Sequence, residues 1–306
     1  MKNFNTNLHV FFYSIIFVRF FFYLYFFTER KVVMNYKNAS VIISVYDKPD
    51  FLQLVLDSLK RQSIQNFEII ISEDGCSEKM KHFIENYPFT TKYKHLTQED
   101  IGWRKNKALN NAIRNASGDW LIFIDGDCVL HPRFVEMHLR YAAENLILSG
   151  RRIKLDEESS NELMKRKQYN INNLFFALLK KQILKKGRSL YIEEGLYIAP
   201  NSIFAFIRKF RKFGRVLGCN MPFSRNAIYS INGFDETYIS PTVGEDTDIA
   251  WRFKAAGYKM KSLRNLAVQF HLHHQMNWSS NQKNKDKMLI NQKINKYLCD
   301  RGLNQA

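Results

Sequence analysis

The sequence predicts an α/β fold, a mostly parallel central sheet flanked by helices and carrying a basic helical insert. Three observations lead there. Short apolar, β-branched runs alternate with segments of helical periodicity from residue 41 onward. Two of the runs end in acidic turns, Glu73-Asp74-Gly75 and Asp125-Gly126-Asp127, which is where an open parallel sheet presents its ligand crevice. The 306 residues are 45% hydrophobic, enough to bury a sizeable core and too apolar for a disordered chain.

Each element has its own reason. Residues 41–45 (Val-Ile-Ile-Ser-Val) form the first expected strand, which Tyr46-Asp47-Lys48-Pro49 breaks. Apolar residues at 51, 55 and 59 and at 52 and 56 predict a helix over 51–62. A second strand is expected over 68–72 and a third over 92–96. The 104–116 segment repeats Ala108, Ala112, Ala116 and Leu109, Ile113 on one face, predicting a helix that Ser117-Gly118-Asp119 ends. The apolar run 121–124 then enters Asp125-Gly126-Asp127. Right-handed crossovers put all these strand ends on one edge, so Ser44, Tyr46, Asp74 and Asp125 should converge. Further on, 163–186 reads as one basic amphipathic helix, with Ile171, Leu174, Phe175, Leu178 and Leu179 on its apolar side. Residues 266–270 read as a strand leading into His271-Leu272-His273-His274, and the tail from 277 as a peripheral helix.

Charge and cysteine usage narrow the chemistry. Lys and Arg number 46 against 29 Asp and Glu, a net charge of +17, which calls for an anionic partner: nucleic acid, acidic lipid or a phosphorylated substrate. Cys76, Cys128, Cys219 and Cys299 are scattered with no C-x-x-C pair, arguing against structural zinc and a disulfide framework and for reduced thiols in the cytosol. Cys128 reads as a small buried side chain. Residues 8–27 are almost wholly apolar and long enough for a bilayer, yet Arg19 sits midway. We read residues 1–33 as an extension upstream of a start at Met34; a membrane anchor is the alternative, and a signal peptide lacks a small-residue cleavage site.

Two acids separated by one glycine need a counter-charge when they leave a buried strand, and a divalent cation supplies it. On its own, Asp125-Gly126-Asp127 could equally be an ordinary turn. Arg104 and Lys107 lie one helical turn apart, and cations are disfavoured at a helix N-terminus, so they point to a diphosphate or to Asp125 and Asp127. Gly244-Glu245-Asp246-Thr247-Asp248 heads another helix, where acids suit the dipole; capping alone accounts for Asp248. Three histidines within four residues can bind a metal or form a polar surface patch; an extended chain would pair His271 with His273 rather than His274.

Taken in order, residues 41–45, Glu73-Asp74-Gly75, Gly102-Trp103-Arg104 with Lys107 and Asn110, Asp125-Gly126-Asp127, Gly233-Phe234-Asp235-Glu236 and Gly244 to Asp248 resemble the family 2 glycosyltransferases of the GT-A (Rossmann-like) fold. The resemblance covers residues 34–275. With Gly218-Cys219-Asn220 it is nearest the branch whose C-terminal part is similar to galactosyltransferases. It implies donor contacts from Ser44 and Tyr46, whose ring can stack on a pyrimidine. Asp74 would read the uracil imide, and Arg104 and Lys107 would meet the diphosphate. Asp127 would ligate Mn²⁺ or Mg²⁺, with Asp125 on the ribose or a metal-bound water and His271, then His274, completing the metal site. Asp246 would be the general base and Glu245 would orient the acceptor or cap the helix.

The expected organisation is a hydrophobic extension (1–33), a nucleotide-sugar half (34–150), a basic insert (151–215), an acceptor-binding and catalytic half (216–275) and a polar tail (276–306). The resemblance implies a nucleotide-sugar donor, a UDP-hexose, and a glycan or lipid-linked acceptor from bacterial-type surface polysaccharide or lipooligosaccharide synthesis. The basic insert and the 204–215 stretch suit an anionic membrane, so a cytoplasmic enzyme peripheral to the inner face is expected, with an N-terminal span as the variant. A nucleic-acid-binding protein is the rival from another class; it lacks a recognised binding motif and leaves the acidic turns without a purpose. A nucleotidyltransferase would need an N-terminal Gly-rich phosphate loop, which is absent from this sequence.

Overall fold

The computed structural model describes residues 38–165, 170–211, 213–241, 243–275 and 281–304. Its centre is a five-stranded sheet ordered β3-β2-β1-β4-β8, made of β1 (Ala39–Val45), β2 (Phe67–Glu73), β3 (Tyr93–Leu96), β4 (Trp120–Asp125) and β8 (Met221–Ser224). The first four run parallel and β8 pairs antiparallel to β4. Both faces are covered, which is why β1, β2 and β4 carry runs of consecutive apolar residues (41–43, 69–71 and 120–124) rather than alternating ones. The two-residue period still divides the core: Val41, Ile43, Ile122 and Ile124 pack with Leu52 and Val55 of α1 (Pro49–Lys60), whereas Ile42, Leu121 and Phe123 face Leu109, Ile113, Phe234 and Phe253.

Register levels the strand ends. Ser44 lies opposite Asp125 and Val45 opposite Glu73, so the turns after β1, β2 and β4 open on one edge as the crossover argument requires. A second sheet, β5-β10-β7, comprises β5 (Cys128–Leu130), β7 (Ile153–Lys154) and β10 (Gln269–His271). Its antiparallel pairing sets His271 opposite Cys128, next to Asp127. A two-stranded parallel ribbon joins β6 (Leu146–Ser149) to β9 (Lys259–Ser262).

Two expectations change. The strand predicted over 266–270 is Gln269–His271; Leu266 instead closes a turn onto Leu263 O at 3.0 Å, beside Asn265 in a left-handed conformation (φ 62°). The single helix predicted over 163–186 is two, Glu157–Lys165 and Ile171–Ile183. Asn170 starts the second, its side chain accepting from the amides of Asn172 and Asn173, so the polar residue that caps a new helix ends the continuity of the pattern. That helix packs Ile171, Phe175 and Leu178 inward with its lysines outside.

The tail helix, Gln282–Lys293, is peripheral as expected. The chain after it is not: Leu303 enters the core and Arg114 grips the carbonyls of Gly302 and Leu303. Among the described residues no helix is long and apolar enough to cross a membrane; the 8–27 stretch and Met34 lie outside them.

Candidate active site

A glycine lets the two acids of the central turn diverge. Gly126 N donates to Ser44 O at 2.8 Å, and a Cβ at Gly126 would come within 2.6 Å of Val45 Cγ1, so no larger residue fits against β1. Asp125 therefore points to one side and Asp127 to the other, each with its own partners.

Asp127 Oδ2 lies 3.0 Å from His274 Nε2 and 3.4 Å from His271 Nε2. His271 is fixed by its strand; after it the chain leaves the ladder, so His274 rather than His273 returns to the same side, and His273 is exposed. Burial pushes His271 down to about 4, against the pull of Asp127, which leaves a neutral imidazole at physiological pH. The hydrogen bond to Asp127 raises His274 above the ordinary imidazole value. Burial opposes ionisation of Asp127, but the His274 hydrogen bond and the nearby imidazoles outweigh it and hold the carboxyl below its usual range. Each of the three residues offers one ligand atom, and these atoms lie within 4.8 Å of one another.

A metal entering this cluster must displace the proton that His274 retains to higher pH. Affinity for Mn²⁺ is therefore expected to rise with pH through the His274 titration and then level off, with a release approaching one proton per ion. Calorimetry in two buffers of different ionisation enthalpy measures this release. Affinity that stays flat between about pH 6 and 8 would remove His274 from the ligand set.

Asp125 belongs to a different network, one that the sequence did not disclose. Lys105, the first residue of the helix Lys105–Asn115, sends its ammonium to Asp125 Oδ1 at 2.8 Å and to Glu245 Oε2 at 2.9 Å. Burial by itself would lower the lysine, but the two carboxylates outweigh it and hold it charged. Arg152 Nη1 adds a second cation 3.7 Å from Asp125 Oδ2 and 3.1 Å from Cys219 Sγ. Cys128, Cys219 and Asp125 have the spacing of a metal-binding group, and this guanidinium already supplies their positive charge. Cys128 is fully buried, as expected of a small core residue.

Of the two partners expected for the basic pair, the acids are ruled out: neither Arg104 nor Lys107 meets Asp125 or Asp127, and Lys105 does so at Asp125. Arg104 is the non-helical residue before the first turn, and its backbone N–H donates to Asp74 Oδ2 at 2.9 Å. Its side chain and that of Lys107 line a polar cavity of about 320 Å³ with Gln98, Asn111, Arg114 and Glu236.

Asp74 is buried and also accepts from Gln98 Nε2 at 2.6 Å; burial raises its carboxyl despite these two donors. Tyr46 lies close by with its ring 59% exposed and its hydroxyl donating to Asp100 at 3.1 Å. Thus Ser44, Tyr46, Asp74 and Asp125 do reach one edge, as the topology required.

Across the cleft, Asp246 opens the helix Asp246–Ala255, and its Oδ2 accepts from Gly218 N at 3.3 Å. A Cβ at Gly218 would stand 2.3 Å from Glu245 Oε1, so a larger residue here would push the Glu245 carboxylate aside. Burial pushes Glu245 up to about 7, with Lys105 pulling it back and Asp125 and Asp246 adding to the rise. Asp248 is structural: it is buried against the Tyr238 hydroxyl, the Trp251 indole N–H and Arg252. Two asparagines of the Lys105–Asn115 helix hold the acidic loop in place. Asn106 donates to the carbonyls of Asp235 and Gly244, and Asn110 exchanges hydrogen bonds with Phe234.

Lys105→Met leaves Asp125 and Glu245 facing each other with their shared cation gone. Removing one member of a buried charge cluster is expected to cost about 3 kcal/mol of stability, read from urea unfolding. The acidic limb of the pH–rate profile should also move upward, because Lys105 is the group that restrains Glu245. An unmoved limb would show that Glu245 titrates independently of the lysine.

Comparison with known proteins gives the fold and site a family. The model of "Glycosyl transferase family 2" matches residues 40–213, and that of the "N-terminal domain of galactosyltransferase" matches residues 204–275. Validoxylamine A glucosyltransferase of Streptomyces hygroscopicus subsp. jinggangensis is 31% identical over 99 residues, 32% of this chain and 24% of that protein, so the match spans about a quarter of its length. The uncharacterized glycosyltransferase YfnE of Bacillus subtilis is 28% identical over 86% of this chain and 70% of its own. Among solved structures, the mannosyltransferase PcManGT of Pyrobaculum calidifontis, in complex with GDP-Man and Mn²⁺, superposes with a TM-score of 0.52 at 14% identity over 88% of this chain and 69% of that one. GalNAc-T7 with UDP, GalNAc and Mn²⁺ gives 0.54 at 14% identity over 84% and 48%. A family model that spans more than half of the sequence, a second over the C-terminal part and a matching GT-A architecture lead to one conclusion: the chain belongs to glycosyl transferase family 2.

Proposed function

We propose that this chain is a metal-dependent, inverting hexosyltransferase that moves a sugar from a UDP-activated donor to a glycan or lipid-linked acceptor of bacterial-type surface polysaccharide or lipooligosaccharide. The observation that carries this reading is the triad of Asp127, His271 and His274, with ligand atoms within 4.8 Å of one another beside the crevice edge. One carboxylate and two imidazoles fit Mn²⁺ better than Mg²⁺, which prefers all-oxygen surroundings. When bound, such an ion neutralises charge on the departing diphosphate.

The chain's own residues perform the remaining tasks. Asp74 keeps acceptor capacity beyond its two present donors, which suits a base N–H, and the exposed Tyr46 ring offers a stacking face. Asp246 takes the proton of the acceptor hydroxyl while the Gly218 amide steadies its other oxygen. Attack from the Asp246 side, opposite the leaving diphosphate, inverts the anomeric carbon. Lys105 keeps Asp125 and Glu245 ordered between the two halves.

A panel of nucleotide-sugars assayed for Mn²⁺-dependent thermal stabilisation and slow hydrolysis tests the reading. A UDP-hexose is expected to give the largest shift in Tm. Salt-sensitive RNA binding, with no response to any nucleotide-sugar, would overturn it.

A further inference from the structure

The 3₁₀ stretch Ile203–Phe210 buries none of its residues, although its sequence is Ile-Phe-Ala-Phe-Ile-Arg-Lys-Phe. Ile203, Phe206 and Phe210 are 67%, 55% and 77% exposed. A second exposed apolar pair is tied to it through one turn. Leu190 and Tyr191 are 55% and 56% exposed on a backbone that is held in place, since Leu190 exchanges both ladder hydrogen bonds with Lys154. Tyr191 has φ 60°, a left-handed conformation that costs an aromatic residue energy. One turn joins the two edges: Tyr191 directly precedes Ile192–Gly195, and Arg211, directly after the 3₁₀ stretch, pairs with Glu194 of that turn at 2.8 Å.

Basic residues flank these edges in the chain, with Asp156 among them, accepting from Arg188 N at 2.8 Å. Lys185, Lys186, Arg188 and Lys209 are exposed. Of the acids in the joining turn, Glu194 is buried under Arg211 and Arg264, and Glu193 lies within 4.0 Å of Arg211. Aromatic and branched side chains rimmed by lysine and arginine match the headgroup region of an anionic bilayer. A protein partner is a poorer fit, because lysine is depleted in protein–protein interfaces. In the chain, seven residues separate Phe210 from Gly218, whose amide donates to Asp246.

We infer that the 3₁₀ stretch and the 190–191 edge form a docking surface for an anionic lipid bilayer that carries the acceptor. The inference deepens the lipid-linked acceptor reading above. Its test needs no sugar transfer, so either can fail alone.

Amide hydrogen exchange on the full chain resolves the segments, which matters because the apolar 8–27 stretch could by itself hold the protein on vesicles. Phosphatidylcholine vesicles containing phosphatidylglycerol are expected to slow exchange in 203–211 and around 190–191 by roughly fivefold or more, and pure phosphatidylcholine to do little. Phe206→Ser with Phe210→Ser should abolish the protection while nucleotide-sugar hydrolysis continues unchanged. Three results would each overturn the inference: exchange indifferent to both lipids; equal protection by both; or protection already present without vesicles, from a second copy if it varies with protein concentration and from the chain's own residues 1–37 if it does not.

Discussion

Asp127→Ala is expected to remove metal dependence and turnover together, lowering kcat by about a thousandfold. The carboxylate is the one oxygen donor of the Asp127, His271 and His274 group, and without it two imidazoles remain, one of them held neutral by burial. A bound divalent cation supplies several kcal/mol of charge stabilisation to a leaving diphosphate. Loss of about 4 kcal/mol corresponds to a factor of about 10³. The same substitution deprives His274 of the hydrogen bond that raises it, so the imidazole should titrate at a lower pH. Mn²⁺ titration followed by donor hydrolysis measures the first effect and the imidazole proton resonances measure the second. Wild-type Mn²⁺ affinity in Asp127→Ala would move the metal site elsewhere.

Asp246→Asn should separate binding from chemistry. Asparagine keeps the shape and an oxygen for the Gly218 amide, so the helix start and the neighbouring Glu245 stay in place. What is lost is the ability to take a proton, worth about 10² to 10⁴ in kcat for a positioned general base. Donor binding, measured as thermal stabilisation by nucleotide-sugar, should be nearly unchanged. Full transfer by the asparagine variant would show that Asp246 is not the base, whatever the fold. Glu245→Gln is the companion experiment: Glu245 titrates at about 7, so its removal should flatten the acidic limb near neutrality rather than stop transfer.

Legibility in the sequence differed from one part of the site to another, and each difference has a physical cause. The strands were readable because both faces of the sheet are covered, which gives β2 and β4 apolar runs with acids where they end. The spacing of His271 and His274 was readable as a pair but not as the pair. An extended chain would have matched His271 with His273, and the ladder happens to stop at His271. Asn106 is a similar case. It stands inside a run of polar residues and looks like surface, yet it is fully buried because the loop bearing Asp235 and Gly244 needs its side-chain donors.

Lys105 is the instructive omission. Successive helical residues point about 100° apart, so the cation that faces the acids depends on where the helix begins. Arg104 is non-helical, and the phase therefore starts at Lys105, directing that ammonium between Asp125 and Glu245 and leaving Arg104 and Lys107 on the polar cavity. No periodicity count contains that starting angle.

By itself, then, the sequence determined the α/β architecture, the common edge for Ser44, Tyr46, Asp74 and Asp125, and the ordered motifs of glycosyl transferase family 2. These follow from side-chain period and from acids placed at strand ends, properties local to a few residues. Only the tertiary structure decided that Asp125 and Asp127 sit in separate networks, that His274 joins His271, and that Lys105 links Asp125 to Glu245. Each depends on a register, a helix phase or a buried counter-charge set by residues far apart in the chain, and such distances are defined only once the sheet has been assembled.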